Sequence, residues 1–141
     1  MRYYVDTNIL IFLLWREREG LSPETLSLFS DYENTMLTST VCVHELIHLL
    51  QIGKLPLRRN KEKVDIKEFE EWLEMMSVQI KPVTIEHLRT LASLPLFPDH
   101  HDPNDRLIIA QAISDRISLV SSDRKFCKYQ RYGLDFIANE R

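Results

Sequence analysis

Apolar residues fall into short runs along the chain, and their spacing alternates between the period of a strand and that of a helix. Tyr3, Tyr4 and Val5 make a β-prone run closed by Asp6. An apolar stretch over residues 9–15 follows at once, with Thr7 or Asn8 placed to cap it. This predicts a strand, a tight junction and a buried helix. Residues 16–20 read as a charged loop. Ser22 before Pro23 has the form of an N-cap with proline in the first turn, so a helix is expected from there to about Asp31. A second strand is predicted over 35–39. A helix over 41–52 then stops at Gly53, with His44, Glu45, His48 and Gln51 on one polar stripe. Asp65 and Glu68 suit a capping pair for a helix over 66–76.

Residues 78–83 make the third expected strand, and Thr84 caps a helix over 85–94. Pro95, Pro98 and Pro103 mark a loop, and Asp102 before Pro103 opens a helix to Arg116. That helix is apolar nearly all round, so it should be covered on several sides. A strand over 117–121, a short helix over 124–129 and a last strand over 134–137 complete the pattern. No repeat or interdomain linker interrupts it. Strands alternating with helices predict an α/β fold, a parallel sheet with helices on both faces, in a single domain of residues 1–141.

Composition narrows the function classes. With 44% hydrophobic and 28% charged residues the chain has the make-up of an ordinary globular domain, not of a disordered one. Its longest apolar run spans seven residues, far short of the roughly 20 that cross a bilayer, so no membrane association is expected. No basic start leads into a long apolar stretch, and two cysteines cannot build a disulfide framework; both fit the cytoplasm. Three glycines leave little material for a phosphate-cradling loop. The net charge of −3 argues against indiscriminate coating of nucleic acid, but it is unevenly spread. Residues 54–67 and 124–131 carry +4 each, which leaves −11 elsewhere: an acidic centre with basic flanks.

Ligands of open α/β sheets sit beyond the carboxyl ends of the strands. Asp6 ends the first predicted strand and Asp123 follows the fourth. Glu45 is one turn into the helix after the second strand, and Asp105 is in the first turn of the helix before the fourth. Four acids from distant segments thus converge on one sheet edge, where a hard cation such as Mg2+ or Mn2+ relieves their repulsion. Acids, an open metal and no protein nucleophile suit metal-assisted hydrolysis of a phosphodiester. Each acid also has a plainer reading: Asp6 and Asp123 as helix caps, Glu45 as a surface residue, Asp105 as a complement to the helix dipole. Asp102 is read foremost as a cap.

These residues resemble a known family. Tyr4-Val5-Asp6-Thr7-Asn8-Ile9-Leu10, SxxxxHEL from Ser39 to Leu46, DPNDRLIIAQA over 102–112 and LVSSDRKF over 119–126 are similar to the motifs of PIN-domain ribonucleases, in particular VapC-type toxins of toxin–antitoxin pairs. The likeness spans nearly the whole chain in the right order. It departs at Cys42, where a serine is common, and at Ser121, where a threonine is usual. The resemblance implies a three-layer α/β/α sandwich around a roughly five-stranded parallel sheet. It also implies Asp6, Glu45, Asp105 and Asp123 as the catalytic metal site, with Mg2+ or Mn2+. RNA as substrate, a cognate antitoxin and homodimerisation are implied as well. Asn8 and Ser121 are expected to support the acids from behind.

Basic side chains offer phosphate contacts that neutralise the backbone without reading sequence. Arg124, Lys125 and Lys128 follow Asp123 directly, and Arg106 sits in the same segment as Asp105; residues 54–67 read rather as a solvated face. A rival reading comes from His44-Glu45-Leu46-Ile47-His48, which spells HExxH. On a helix its histidines share a face, and Glu45 would be the base of a small zinc metallopeptidase. That reading lacks a third ligand and leaves Asp6, Asp105 and Asp123 unexplained. His44 and His48 are then rim or packing residues, and His100 and His101 loop polar residues near the site mouth. A third reading, a protein that only sequesters RNA or protein, gives clustered negative charge no purpose.

Overall fold

The computed structural model describes residues 1–57 and 63–140. Arg58, Arg59, Lys61 and Glu62 of the first basic segment lie outside the described residues. The described chain forms strands β1 (Arg2–Val5), β2 (Thr35–Ser39), β3 (Val78–Lys81), β4 (Ser118–Ser121) and β5 (Phe136–Ala138). Between them run helices α1 (Thr7–Leu14), α2 (Pro23–Ser30), α3 (Thr40–Gln51), α4 (Ile66–Met75), α5 (Ile85–Ser93) and α6 (Pro103–Asp115). The strands form one five-stranded, wholly parallel sheet in the order β3-β2-β1-β4-β5. This is the expected α/β architecture. Among the described residues no helix is long and apolar enough to cross a membrane.

Strand order decides where a ligand can sit. The chain steps outward from β1 through β2 to β3, then returns to pair β4 on the other side of β1. The connections leave β1 in opposite directions, which opens a crevice beyond the carboxyl ends of β1 and β4. Three of the four β1 residues and all of β4 are buried, so this central pair is fixed by apolar packing on both faces. Ile9, Leu10, Leu46, Ile108, Ile109 and Leu119 are among the side chains that close the core.

Capping is largely as the sequence predicts, with one correction. The Ser22 hydroxyl accepts the Thr25 amide at 3.1 Å, and Asp102 accepts those of Asn104 and Asp105. At α1, however, neither Thr7 nor Asn8 is the cap: Asp6 itself occupies that place and accepts the Thr7 N–H at 2.8 Å. Other boundaries shift for local reasons. β3 stops at Lys81 because Pro82 has no N–H to continue the ladder. Residues 18–20 form a 3-10 turn where a loop was expected, and the short helix expected over 124–129 is a 3-10 helix that runs on to residue 132. Leu134, expected in β5, instead closes that helix by donating to the Tyr129 carbonyl at 3.2 Å.

Candidate active site

Asp6 leaves β1 into the crevice and is 5% exposed. Its Oδ1 accepts the Thr7 amide, while its Oδ2 accepts the Ser121 hydroxyl at 2.7 Å and the Asn8 side-chain amide at 3.4 Å. Ser121 Oγ also accepts the Asp123 amide at 3.1 Å, and Asn8 Oδ1 accepts that of Ser122 at the same distance. Asn8 and Ser121 therefore lace the ends of β1 and β4 together and fix Asp6 between them. Cys42 is buried behind, its Sγ 3.9 Å from the Val5 carbonyl, and burial pushes its thiol up to about 12. It is a neutral filler there.

The other acids arrive from the helices. Glu45, half-buried on α3, accepts from the Asn104 side chain at 3.4 Å, across to α6. Asp105 sits in the first turn of α6. One oxygen from each of Glu45, Asp102 and Asp105 lies within 4.8 Å of the other two. Asp102 caps α6 as expected and also joins this cluster. Asp105 belongs to a second group as well, with Asp123 and His100, under the same 4.8 Å limit.

His100 was not singled out by the sequence, which set it beside His101 as loop polarity. The chain separates the two. His101 is exposed and pairs with the Pro98 carbonyl at 2.6 Å, while His100 turns inward to 5% exposure. Its Nδ1 is 2.8 Å from the Tyr129 hydroxyl and its Nε2 is 3.3 Å from Asp105 Oδ2. The aromatic residues at 97, 126 and 129 were the available signal, since His100 packs edge-on against Phe126 and Tyr129.

Asp6 joins neither of these 4.8 Å groups, but its charge and those of the other acids are felt across the crevice. Burial, then the charges of Asp6, Asp102, Glu45 and Asp123, push Asp105 up to about 8. Burial also raises Asp6 to about 6, against the hydrogen bonds from Ser121 and Thr7 and with the charges of Glu45 and Asp123. Asp105, which resists ionising at neutral pH because of burial and its acidic neighbours, marks a place where a cation would relieve repulsion. An all-oxygen donor set of Asp6, Glu45, Asp105 and Asp123 fits a hard divalent ion.

The basic candidates are engaged nearby. Arg106 donates from Nη2 to the carbonyls of Leu94 and Pro95 at 3.3 and 3.2 Å. Lys125 donates to the Asp99 carbonyl and Lys128 pairs with the Asp99 carboxylate. Arg124 lies 3.4 Å from Glu140 with its side chain 78% exposed. The HExxH histidines, His44 and His48, are exposed on α3, and among the described residues no third ligand joins them.

Comparison with known proteins agrees with this fold. No curated protein sequence matches the chain. The crystal structure of VapBC2 from Rickettsia felis bound to a DNA fragment from their promoter superposes with a TM-score of 0.69 at 19% identity. That match covers 99% of this chain and 100% of the other. A toxin–antitoxin complex from Klebsiella pneumoniae gives 0.58 at 15% identity, covering 99% and 98%. The profile of the family described as PIN domain matches residues 3–132, and the chain belongs to that family.

Proposed function

We propose that the chain is a metal-dependent endoribonuclease, the toxin of a toxin–antitoxin pair, which hydrolyses RNA phosphodiester bonds at Asp6, Glu45, Asp105 and Asp123. The observation that carries this is the electrostatic coupling of acids from four segments at the crevice between β1 and β4, with Asp105 raised to about 8. Membership of the PIN-domain family and the likeness to two toxin–antitoxin assemblies support it.

Asp6 and Asp105, with Glu45 and Asp123 beside them, would hold Mg2+ or Mn2+, which when bound would supply Lewis-acid charge at the scissile phosphate. Ser121 and the Thr7 amide keep Asp6 in one rotamer, so its oxygens need no reorganisation when the ion binds. Glu45 and Asp123 then orient the attacking water and take its proton at a carboxylate oxygen. Arg124, open to solvent beside the site, contacts substrate phosphate, and Lys125, Lys128 and Arg106 hold the surrounding loop in place while adding positive potential. A cytoplasmic antitoxin partner and a homodimer belong to the same reading.

Incubating the purified protein with total cellular RNA, with Mg2+, Mn2+ or a chelator, tests it. Cleavage that needs the ion and disappears in Asp6→Asn is the expected result. Undiminished cleavage by Asp6→Asn overturns the assignment.

A further inference from the structure

Resting on the reading of the acid cluster as a divalent-metal site, we propose that His100 is a nitrogen ligand of that ion, through Nε2, alongside Asp105 and Asp123. Three observations converge on it. The ring is immobilised: it is 5% exposed, packed edge-on against Phe126 and Tyr129, and held at Nδ1 by the Tyr129 hydroxyl at 2.8 Å. Its Nε2 is buried and has no hydrogen-bond partner among the described residues. That orphaned nitrogen faces the acids, since ligand atoms of His100, Asp105 and Asp123 all lie within 4.8 Å of one another.

The distance to Asp105 is informative. Nε2 and Oδ2 are 3.3 Å apart but do not share a hydrogen bond. Two ligands about 2.1 Å from an ion, at right angles, stand about 3.0 Å apart. The pair is therefore close to the spacing of adjacent ligands. A lone pair on Nε2 places the ring proton on Nδ1, where it is donated to the Tyr129 oxygen, the arrangement in which a metal-bound imidazole is oriented from behind. Tyr129 is itself buried and fixed among Phe97 and His100, and the Arg106 guanidinium lies against its hydroxyl. The chain thus invests a buried tyrosine and histidine in presenting one nitrogen to the acid cluster. A nitrogen donor among carboxylates moves the preference from Mg2+ toward Mn2+, because imidazole favours the later divalent metals.

Pulsed electron paramagnetic resonance of the full chain loaded with Mn2+ is the direct test. Nitrogen hyperfine coupling to the bound ion is expected in the wild type and is lost in His100→Gln. Calorimetry should show Mn2+ affinity falling about 10–100-fold in that variant. The Mg2+ affinity should fall less, so the preference for Mn2+ narrows. Tyr129→Phe should keep the coupling with a smaller loss of affinity. If His100→Gln does not fold, the double variant His44→Ala/His48→Ala replaces it: coupling that persists supports His100 and coupling that vanishes overturns it. Mn2+ that binds the wild type without nitrogen coupling overturns the proposal and leaves the four-carboxylate site standing. A wild-type chain that binds no Mn2+ overturns both.

Discussion

Two histidines are buried beside carboxylates in this molecule, and they are treated in opposite ways. His87 is 3% exposed on α5, and its Nδ1 accepts the Thr84 amide at 3.0 Å. The proton must then sit on Nε2, which donates to Asp115 at 2.8 Å. Asp115 also accepts the Tyr4 hydroxyl at 2.5 Å, and that oxygen accepts from Gln111, whose Oε1 in turn accepts the Ser39 hydroxyl. The network closes on itself and ties α5, α6, β1 and β2 together. His100, at the other site, has one nitrogen satisfied and one facing acids that repel each other. A satisfied buried network holds the fold. An incomplete one leaves room for something the chain does not supply. The contrast separates structural from functional polarity without reference to motifs.

That contrast can be broken by mutation. Asp105→Asn is expected to cut RNA cleavage by about 10²–10³-fold, from loss of a carboxylate that would hold the ion acting on the reacting phosphate. Its melting temperature should stay level or rise, because the cost of keeping a buried acid protonated among other carboxylates is removed. His87→Ala should do the reverse. Removing one of the two donors to Asp115 and the acceptor of the Thr84 amide costs about 1–3 kcal/mol in urea unfolding, while cleavage per folded molecule is unchanged.

The pH dependence sharpens the comparison further. Asp105 keeps its proton up to about 8 in the folded chain, against 3.8 ordinarily. Between those values the unfolded chain binds fewer protons, so the stability of the metal-free protein contributed by this group is full below about 4 and is lost as pH rises toward 8. Ion and proton compete for the same oxygens. Apparent Mn2+ affinity should therefore climb roughly tenfold per pH unit for each proton displaced, levelling off above about 8. Calorimetry across pH 6–9 in buffers of different ionisation heat checks both the affinity and the proton count. The smallest effect is expected at His48→Ala: stability within about 0.5 kcal/mol and cleavage unchanged. Loss of a stoichiometric zinc in that variant would instead favour the peptidase.

The acids were legible because chemistry at strand ends follows from the alternation of elements alone. Asp6, Asp105 and Asp123 each stand where a predicted strand or helix begins or ends, and Glu45 one turn inside. What the sequence could not show depends on contacts between distant segments. His100 and His101 look alike in the chain, and packing against Phe126 and Tyr129 turns one inward. Asp6 was weighed as cap or ligand, and its two oxygens divide the work: Oδ1 caps Thr7 while Oδ2 meets Ser121. The engagement of Lys125 and Lys128 with Asp99 was hidden for the same reason, since it joins residues 26 and 29 positions apart. Strand order is likewise a tertiary fact. Alternation implies a parallel sheet, but not that β4 returns to pair β1.

On the proposed reading, a divalent ion makes a crowded pocket of carboxylates tolerable. Calorimetric titration of Mn2+ into the wild type and Asp105→Asn at pH 8, with melting temperatures taken alongside, tests it most directly. A saturable site is expected in the wild type, whose occupation raises its melting temperature, with at least about tenfold weaker binding in the variant. Equal binding by the two chains, or none by the wild type, would contradict that reading.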